Sequence, residues 1–312
     1  MNTVSEYHVV FGAGPLGLAV ARALVERGKT TRLVCRSGRA AAPAGVEVVA
    51  ADACQPEEAR RAVQGAAVVY QCAQPGYAHW VEHFPPLQAG ILAAASAANA
   101  RLVVGDNLYM YGQVDGPIHE DLPYAAVTRK GQVRARMAEE LLAAHRRGQV
   151  SVAIARGSDF FGPHVLGSTL GERVFAPALL GKPASALGNP DLPHTYTFID
   201  DFGRAMVTLG ERPEAAGQVW HVPNPETLTQ RQIITLIFEE IGHPPRISSM
   251  GRFMLRLGGL FIPEARETVE MMYEFEKPFV VDDSKYRRAF AQDATPLRRA
   301  LSETIAWYRQ RQ

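Results

Sequence analysis

Three glycines near the N-terminus have the spacing of a phosphate cradle: Gly12-Ala13-Gly14-Pro15-Leu16-Gly17. They follow a short β-prone run at residues 7–11. They open a helical pattern at 16–27 whose apolar Leu16, Val20, Ala23 and Leu24 share one face. In that setting the first glycine permits a tight turn and the second lets the backbone approach a pyrophosphate. The third lets helix and strand pack closely, and the helix N-terminus supplies partial positive charge. The bare spacing is a weak signal, but strand–turn–helix context within a βαβ unit makes it a dinucleotide-binding signature. The end of the second strand then discriminates between dinucleotides. An acid about 20 residues on bonds a ribose 2′-hydroxyl, whereas Arg accommodates a 2′-phosphate. The run Cys35-Arg36-Ser37-Gly38-Arg39 carries no acid, and Arg36, Ser37 and Arg39 offer charge-assisted bonds. NADP(H) is the expected cofactor, with NAD(H) as the alternative.

Another spacing suggests metal chemistry. His79-Trp80-Val81-Glu82-His83 matches the H-x-x-E-H zinc-hydrolase pattern, which needs both histidines on one helical face. Phe84-Pro85-Pro86 directly behind it restricts helix continuation, and no partner acid is evident. The match is read as coincidence, with these residues lining a cleft and no metal expected. No G-x-S-x-G elbow supports serine hydrolysis.

The elements that must position these residues alternate. Strand-like runs at 31–35, 46–50, 67–72, 101–104 and 150–155 are separated by helical patterns at 56–64, 87–98 and 133–145. Strands alternating with helices at this spacing predict an α/β fold, a doubly wound parallel sheet covered on both faces. Beyond about residue 165 prolines and glycines multiply and elements shorten. A strand is expected at 219–222, a helix at 229–241 ended by Gly242, and a closing amphipathic helix at 295–308. The expected organisation is a dinucleotide-binding Rossmann domain over 1–165, to which the chain returns near 196–222. A smaller α+β substrate-binding domain follows over 166–312.

Composition narrows the function classes. The chain has 312 residues, 33 Lys+Arg against 32 Asp+Glu, and 47% hydrophobic residues, as a globular protein should. A net charge of +1 argues against a surface that neutralises nucleic-acid phosphates. No run reaches the roughly 18 apolar residues of a membrane span, and the N-terminus lacks a signal-peptide pattern. Three cysteines, Cys35, Cys54 and Cys72, suit a reducing cytoplasm, and buried packing is expected for all three.

Several segments together resemble the extended short-chain dehydrogenase/reductases, the NAD(P)-dependent epimerase/dehydratase family, along nearly the whole chain. Besides the glycine loop, Asp52-Ala53 is similar to that family's adenine-contacting pair, and Cys72-Ala73-Gln74 to its segment beside the cofactor. Tyr111-Gly112, Arg156 through Gly162-Pro163, and Phe198-Ile199-Asp200-Asp201 follow the same pattern. So do Asp283-Ser284-Lys285 and Thr295-Pro296-Leu297 near the C-terminus. The resemblance implies a second domain that binds a small-molecule substrate, often a nucleotide-sugar. It also implies a homodimer pairing through the helices near 87–98 and 133–145, where Ala93, Ala94, Ala95, Ala97 and Ala98 would form a small-residue surface.

The departure lies at the catalytic centre. Where the family has Tyr-x-x-x-Lys this chain has Gly131 and Ala135, and the upstream Ser/Thr position is Asn107. Tyr109 and Asn107 fall in the stretch that faces substrate in the resembled family. Tyr109 is the expected proton donor and Asn107 the expected carbonyl-orienting amide. Lys130 and Arg134, one helical turn apart, are expected to lower a nearby phenol by their positive charge. The nicotinamide is placed between the glycine loop and Gly157-Ser158-Asp159, with Ser158 on the cofactor and Tyr77, Asp159 and Phe160 on the substrate. The reading is an NADP(H)-dependent oxidoreductase acting on a small carbonyl or alcohol. Alternatives are an epimerase or dehydratase that recycles its hydride on a nucleotide-sugar-like substrate, and a non-catalytic NADP-binding regulator.

Overall fold

The computed structural model describes residues 7–258 and 267–311. Strands β1 (Tyr7–Phe11), β2 (Thr30–Cys35), β3 (Glu47–Ala50), β4 (Ala66–Gln71), β5 (Arg101–Asp106) and β6 (Val152–Arg156) match the alternating pattern. Between them run α1 (Pro15–Glu26), α2 (Pro56–Ala62), α3 (Trp80–Ala97) and α4 (Arg129–Arg146). Then come β7 (Asp159–Phe161), α5 (Glu172–Leu179), β8 (Ala184–Leu187), β9 (Pro193–His194), β10 (Tyr196–Phe198), α6 (Ile199–Glu211) and β11 (Val219–His221). The chain ends with β12 (Leu228–Thr229), α7 (Gln230–Ile241), β13 (Ile247–Met250), α8 (Arg252–Gly258), α9 (Ser284–Phe290) and α10 (Leu297–Arg309).

Seven strands form one parallel sheet in the order β11-β6-β5-β4-β1-β2-β3. The order reverses between β1 and β4, which opens a crevice at their C-terminal ends where open α/β sheets bind ligands. Both faces are buried, so neighbouring residues serve opposite layers. Val9 packs with Ile91, Leu102 and Leu141 on the α2–α4 side, and Val10 with Leu18, Phe202 and Met206 on the α1–α6 side. Helix α6 presses close to α1, because a Cβ on Gly203 would stand 2.6 Å from the Ala19 carbonyl carbon. A third core joins Phe161, Phe175, Phe198, Ile237 and Leu301, from the short strands and helices after β6. Helix α7 opens on a Thr229–Gln232 capping box and ends, as its sequence predicts, at Gly242, φ 89°.

Three expectations need correction. Helix α3 begins at Trp80 rather than near 87, so Pro85 and Pro86 lie inside it. Each proline lacks an N–H for one bond of the second turn, and burial of Trp80 and Phe84 against Val133 and Met137 offsets that loss. The alanine surface divides: Ala94 and Ala95 are core residues, whereas Ala93 and Ala97 are exposed. The cysteines are not all buried, since Cys54 is exposed and Cys35 half-buried. No described helix is long and apolar enough to cross a membrane.

Candidate active site

The glycine loop has the geometry its spacing demands. Gly12 sits at φ 104°, and a Cβ there would stand 2.6 Å from the Ala73 nitrogen, so the β1 turn and the β4 end lie in contact. A Cβ on Gly17 would fall 1.8 Å from the Gly12 carbonyl oxygen. At Gly14, by contrast, an added Cβ meets nothing within 4 Å. That opening lies at the N-terminus of α1, which has no side-chain cap and starts on Pro15. Unclaimed N–H groups facing open space fit the pyrophosphate of a dinucleotide. Ala13, Leu16 and Cys72 pack beneath the loop.

Arg36, Ser37 and Arg39 are exposed beyond β2. Ser37 donates its hydroxyl to the Arg39 carbonyl at 3.1 Å, so it holds the loop's shape. Arg36 borders a recess of about 640 Å³ with Arg32, Arg61, Asp52 and Glu58. Asp52 gives its N–H to Glu58 at 2.7 Å, and its carboxylate accepts from the Cys54 N–H at 3.0 Å. The Ala53 side chain is a core residue, and its carbonyl lies against Gly90 of α3. Gln74 is exposed. Ser158 is also committed within the protein, its hydroxyl donating to the Thr195 carbonyl at 2.6 Å and its N–H to Thr197 Oγ1 at 2.8 Å.

The side chains of α4 meet the end of β5 and the Tyr109 turn that follows it. Tyr77 and Tyr109 turn their hydroxyls toward each other at 3.5 Å, with Tyr77 donating. Burial, first of all, pushes both phenols well above their ordinary value, and Glu274 and Asp159 push them further. The expected lowering by Lys130 and Arg134 therefore does not occur. Lys130 is buried and bonded to Glu267 and to Glu270, the latter at 2.7 Å, with its Nζ 4.6 Å from the centre of the Tyr77 ring. Arg134 is buried against Asp106, which holds it through Nε at 2.8 Å and through Nη2. Asn107 does not present its carbonyl oxygen outward, since Oδ1 accepts the Tyr109 N–H at 3.2 Å and so fixes the turn carrying that tyrosine. Asp159 accepts from His194 Nε2 at 3.0 Å. Phe160 instead packs against the cluster of Ala19, Val165 and Ile199.

Position 131 admits no side chain. A Cβ on Gly131 would stand 2.5 Å from the Ala126 Cβ and 2.6 Å from the Tyr109 carbonyl oxygen. The helix start has been brought onto the Tyr109 turn, so a phenol from α4 has no room there. His79 and His83 are exposed, with rings 5.6 Å apart, rather than lining the site.

The sequence reading missed Glu267, Glu270, Tyr273, Glu274 and His194. Glu274 is buried, and desolvation, then Asp159, raises its carboxyl well above the usual range. The Tyr273 hydroxyl is buried with no hydrogen-bond partner among the described residues. A signal was present: Glu267, Glu270 and Glu274 recur at helical spacing among Tyr273, Phe275 and Phe279.

A model of the NAD dependent epimerase/dehydratase family matches residues 9–222. A 2-alkyl-3-oxoalkanoate reductase from Shewanella oneidensis is 24% identical over 262 residues, covering 78% of this chain and 67% of that protein. The UDP-glucuronic acid 4-epimerase from Bacillus cereus, solved with NAD, superposes with a TM-score of 0.79 at 17% identity, covering 97% of this chain and 99% of that one. A dTDP-glucose 4,6-dehydratase from Streptomyces venezuelae, a double mutant solved with NAD and a second ligand, gives 0.80 at 17% identity, covering 98% and 97%. These two show a shared fold. With the dinucleotide cradle in place and the family match spanning the sheet, the chain belongs to the NAD-dependent epimerase/dehydratase family and is an NAD(P)-dependent enzyme.

Proposed function

We propose that the protein is an NADP(H)-dependent reductase that converts a small-molecule carbonyl to an alcohol. The observation that carries this reading is the convergence of two protonated phenols, Tyr77 and Tyr109, 3.5 Å apart at the end of the sheet. Bound nicotinamide would supply the hydride. The chain's own part is to deliver a proton to the oxygen as negative charge builds there. A gap of 3.5 Å is long for a bond between hydroxyls, and a substrate oxygen can take both. Tyr109 is the donor and Tyr77 its partner. Asn107 positions the Tyr109 turn, and Lys130 lies against the Tyr77 ring. The Shewanella relative, a reductase by name, supports the same reaction type.

NADP(H) preference rests on Arg36 and Arg39, exposed and in no ion pair among the described residues, with no acid at the end of β2. In this reading the glycine loop, Asp52 and the 72–74 segment hold the cofactor. Residues 1–165, with the chain's return near 196–222, form the cofactor domain and the rest of 166–312 the substrate domain, in a cytoplasmic homodimer. The free thiols of Cys35 and Cys54, half-buried and exposed, fit a reducing compartment.

The test has two arms. Stoichiometric NADPH oxidation with an alcohol product, over a panel of aldehydes and ketones, is expected; turnover without net oxidation would replace the reading with epimerisation. Calorimetric titration should show NADP bound tighter than NAD, and Arg36→Ala should weaken NADP markedly while leaving NAD nearly unchanged. Equal losses for the two would refute the 2′-phosphate assignment.

A further inference from the structure

Arg134 lies in the second turn of α4 and is 3% exposed, although burying a guanidinium is costly unless its surroundings compensate. Two of its nitrogens, Nε at 2.8 Å and Nη2, donate to Oδ1 of Asp106. The same oxygen accepts the Asn107 N–H at 2.8 Å, and Asn107 accepts the Tyr109 N–H at 3.2 Å. The main chain that carries Tyr109 is thus tied, through two short side chains, to a cation of another element. The third nitrogen, Nη1, is buried with no hydrogen-bond partner among the described residues. It belongs to a guanidinium whose carbon lies over two rings, 4.3 Å from the centre of Phe84 and 5.7 Å from that of Trp80. Aromatic faces attract such a group, which accounts for the unbonded nitrogen. Trp80 packs edge-on to Phe84 at 5.3 Å and donates its Nε1–H to the Pro75 carbonyl at 3.3 Å. Its ring then stands 5.9 Å from that of Tyr109.

We infer that Arg134 is a positioning residue for the Tyr109 phenol, holding its turn through Asp106 and its ring through Trp80. The inference rests on Tyr109 as the proton donor of the proposed reduction. Proton transfer needs the hydroxyl within hydrogen-bond reach of the substrate oxygen, and a misplacement of about 1 Å costs about 10²-fold in rate. A planar fork suits both tasks, because its edge meets the carboxylate while its face meets the rings. Lysine would keep a charge for Asp106 but supply no flat face. Methionine would supply neither. Asp106 would still be paired with Arg156 at 3.1 Å, so the carboxylate is not left alone in the interior and the Arg134 link is separable from folding.

Arg134→Met and Arg134→Lys test this by steady-state carbonyl reduction, NADPH titration and near-ultraviolet circular dichroism. Arg134→Met should lower kcat by about 10²-fold and Arg134→Lys by less, while KM and NADPH affinity stay within about twofold. The dichroism of the Trp80–Tyr109 ring pair, identified as the signal lost in both Trp80→Phe and Tyr109→Phe, should fall in Arg134→Met. A merely structural role would lower the unfolding midpoint and leave kcat and the ring signal in place, and that result overturns the inference. Equal losses in kcat and NADPH affinity overturn it too, since they report a disordered site. If Arg134→Met does not fold, Arg134→Lys and Asp106→Asn carry the same measurements with the same expected direction. The ring signal needs no turnover, so the two readings fail separately. Loss of the signal in Arg134→Met, with full activity in Tyr109→Phe, supports the positioning and removes only the proton donor. Loss of activity in Tyr109→Phe, with Arg134→Met fully active and its ring signal intact, overturns the positioning alone.

Discussion

A phenol that is desolvated beside carboxyl groups keeps its proton, and this decides which half of a carbonyl–alcohol interconversion the site is built for. Tyr109 is raised by burial and then by Tyr77, Glu274 and Asp159, so at neutral pH it can give a proton to a forming alkoxide but is a poor base for the reverse step. Tyr109→Phe should lower the turnover of carbonyl reduction by about 10²–10⁴-fold while leaving NADPH affinity unchanged. In the unmodified enzyme no alkaline fall in rate should come from this phenol below about pH 10. Steady-state rates across pH, with separate NADPH titrations, check both statements, and full activity in the variant would sink the assignment. At this scale the sequence was legible where function is a property of backbone. Gly12, Gly14 and Gly17 announce a turn, an open approach and a close packing whatever surrounds them. Glu274 was illegible because its proton is held by burial and by Asp159, a residue from a distant strand.

Elements are tied together by a buried polar chain. Asp106, at the end of β5, accepts from Arg134 of α4 and from Arg156 of β6, the latter through Nε at 3.1 Å. Arg156 donates to the Tyr111 hydroxyl at 2.7 Å and to the Tyr124 hydroxyl at 2.6 Å. Tyr111 can then donate to His221 Nε2 at 2.9 Å, leaving Nδ1–H for the Asp282 carbonyl at 3.1 Å. This is a neutral imidazole, and burial followed by Arg156 pulls His221 down to about 3. A folded value below the unfolded one means that the unfolded chain takes up the proton first as pH falls. Stability from this group is therefore complete above about pH 6.5 and is lost toward pH 3, by about 1.4 kcal/mol per pH unit. Denaturant unfolding from about pH 7 to about pH 4 should show that slope, and His221→Gln should be less stable at about pH 7 but flatter below about pH 6.5. Equal slopes in the two proteins would rule out His221 as the source. The strands involved were readable from their apolar runs, since a sheet covered on both faces makes that signal local. The start of α3 was not, because packing of Trp80 and Phe84 overrides two prolines. Nor was the turn of helix at Val269–Phe275, whose acids and aromatics make sense only against Tyr77 and Lys130.

The whole molecule buries both faces of the sheet and leaves exposed the outer side of the helices that cover one face. Helices α3 and α4 lie side by side over it, and α3 keeps Pro86, Ala89, Ala93 and Ala97 exposed on its outer side, a stripe at helical spacing with no long side chain. The facing side of α4 carries Gln132, Arg136, Glu139 and Glu140, exposed and of both signs. A two-fold axis through such a surface would set each α3 against a copy of itself and each Arg136 within reach of a partner's acids, an isologous contact of the kind closed dimers use. Only half of the alanine-rich run is available for it, since Ala94 and Ala95 are spent on the core. The contact must then be narrow and sensitive to bulk. Light scattering should give a dimer mass at micromolar concentration, and Ala93→Arg should give a monomer with unchanged thermal midpoint within the usual small effect of a surface substitution, about 0.5 kcal/mol. A monomer mass for the unmodified protein would exclude the dimer. A dimer that tolerates Ala93→Arg would move the contact to another face.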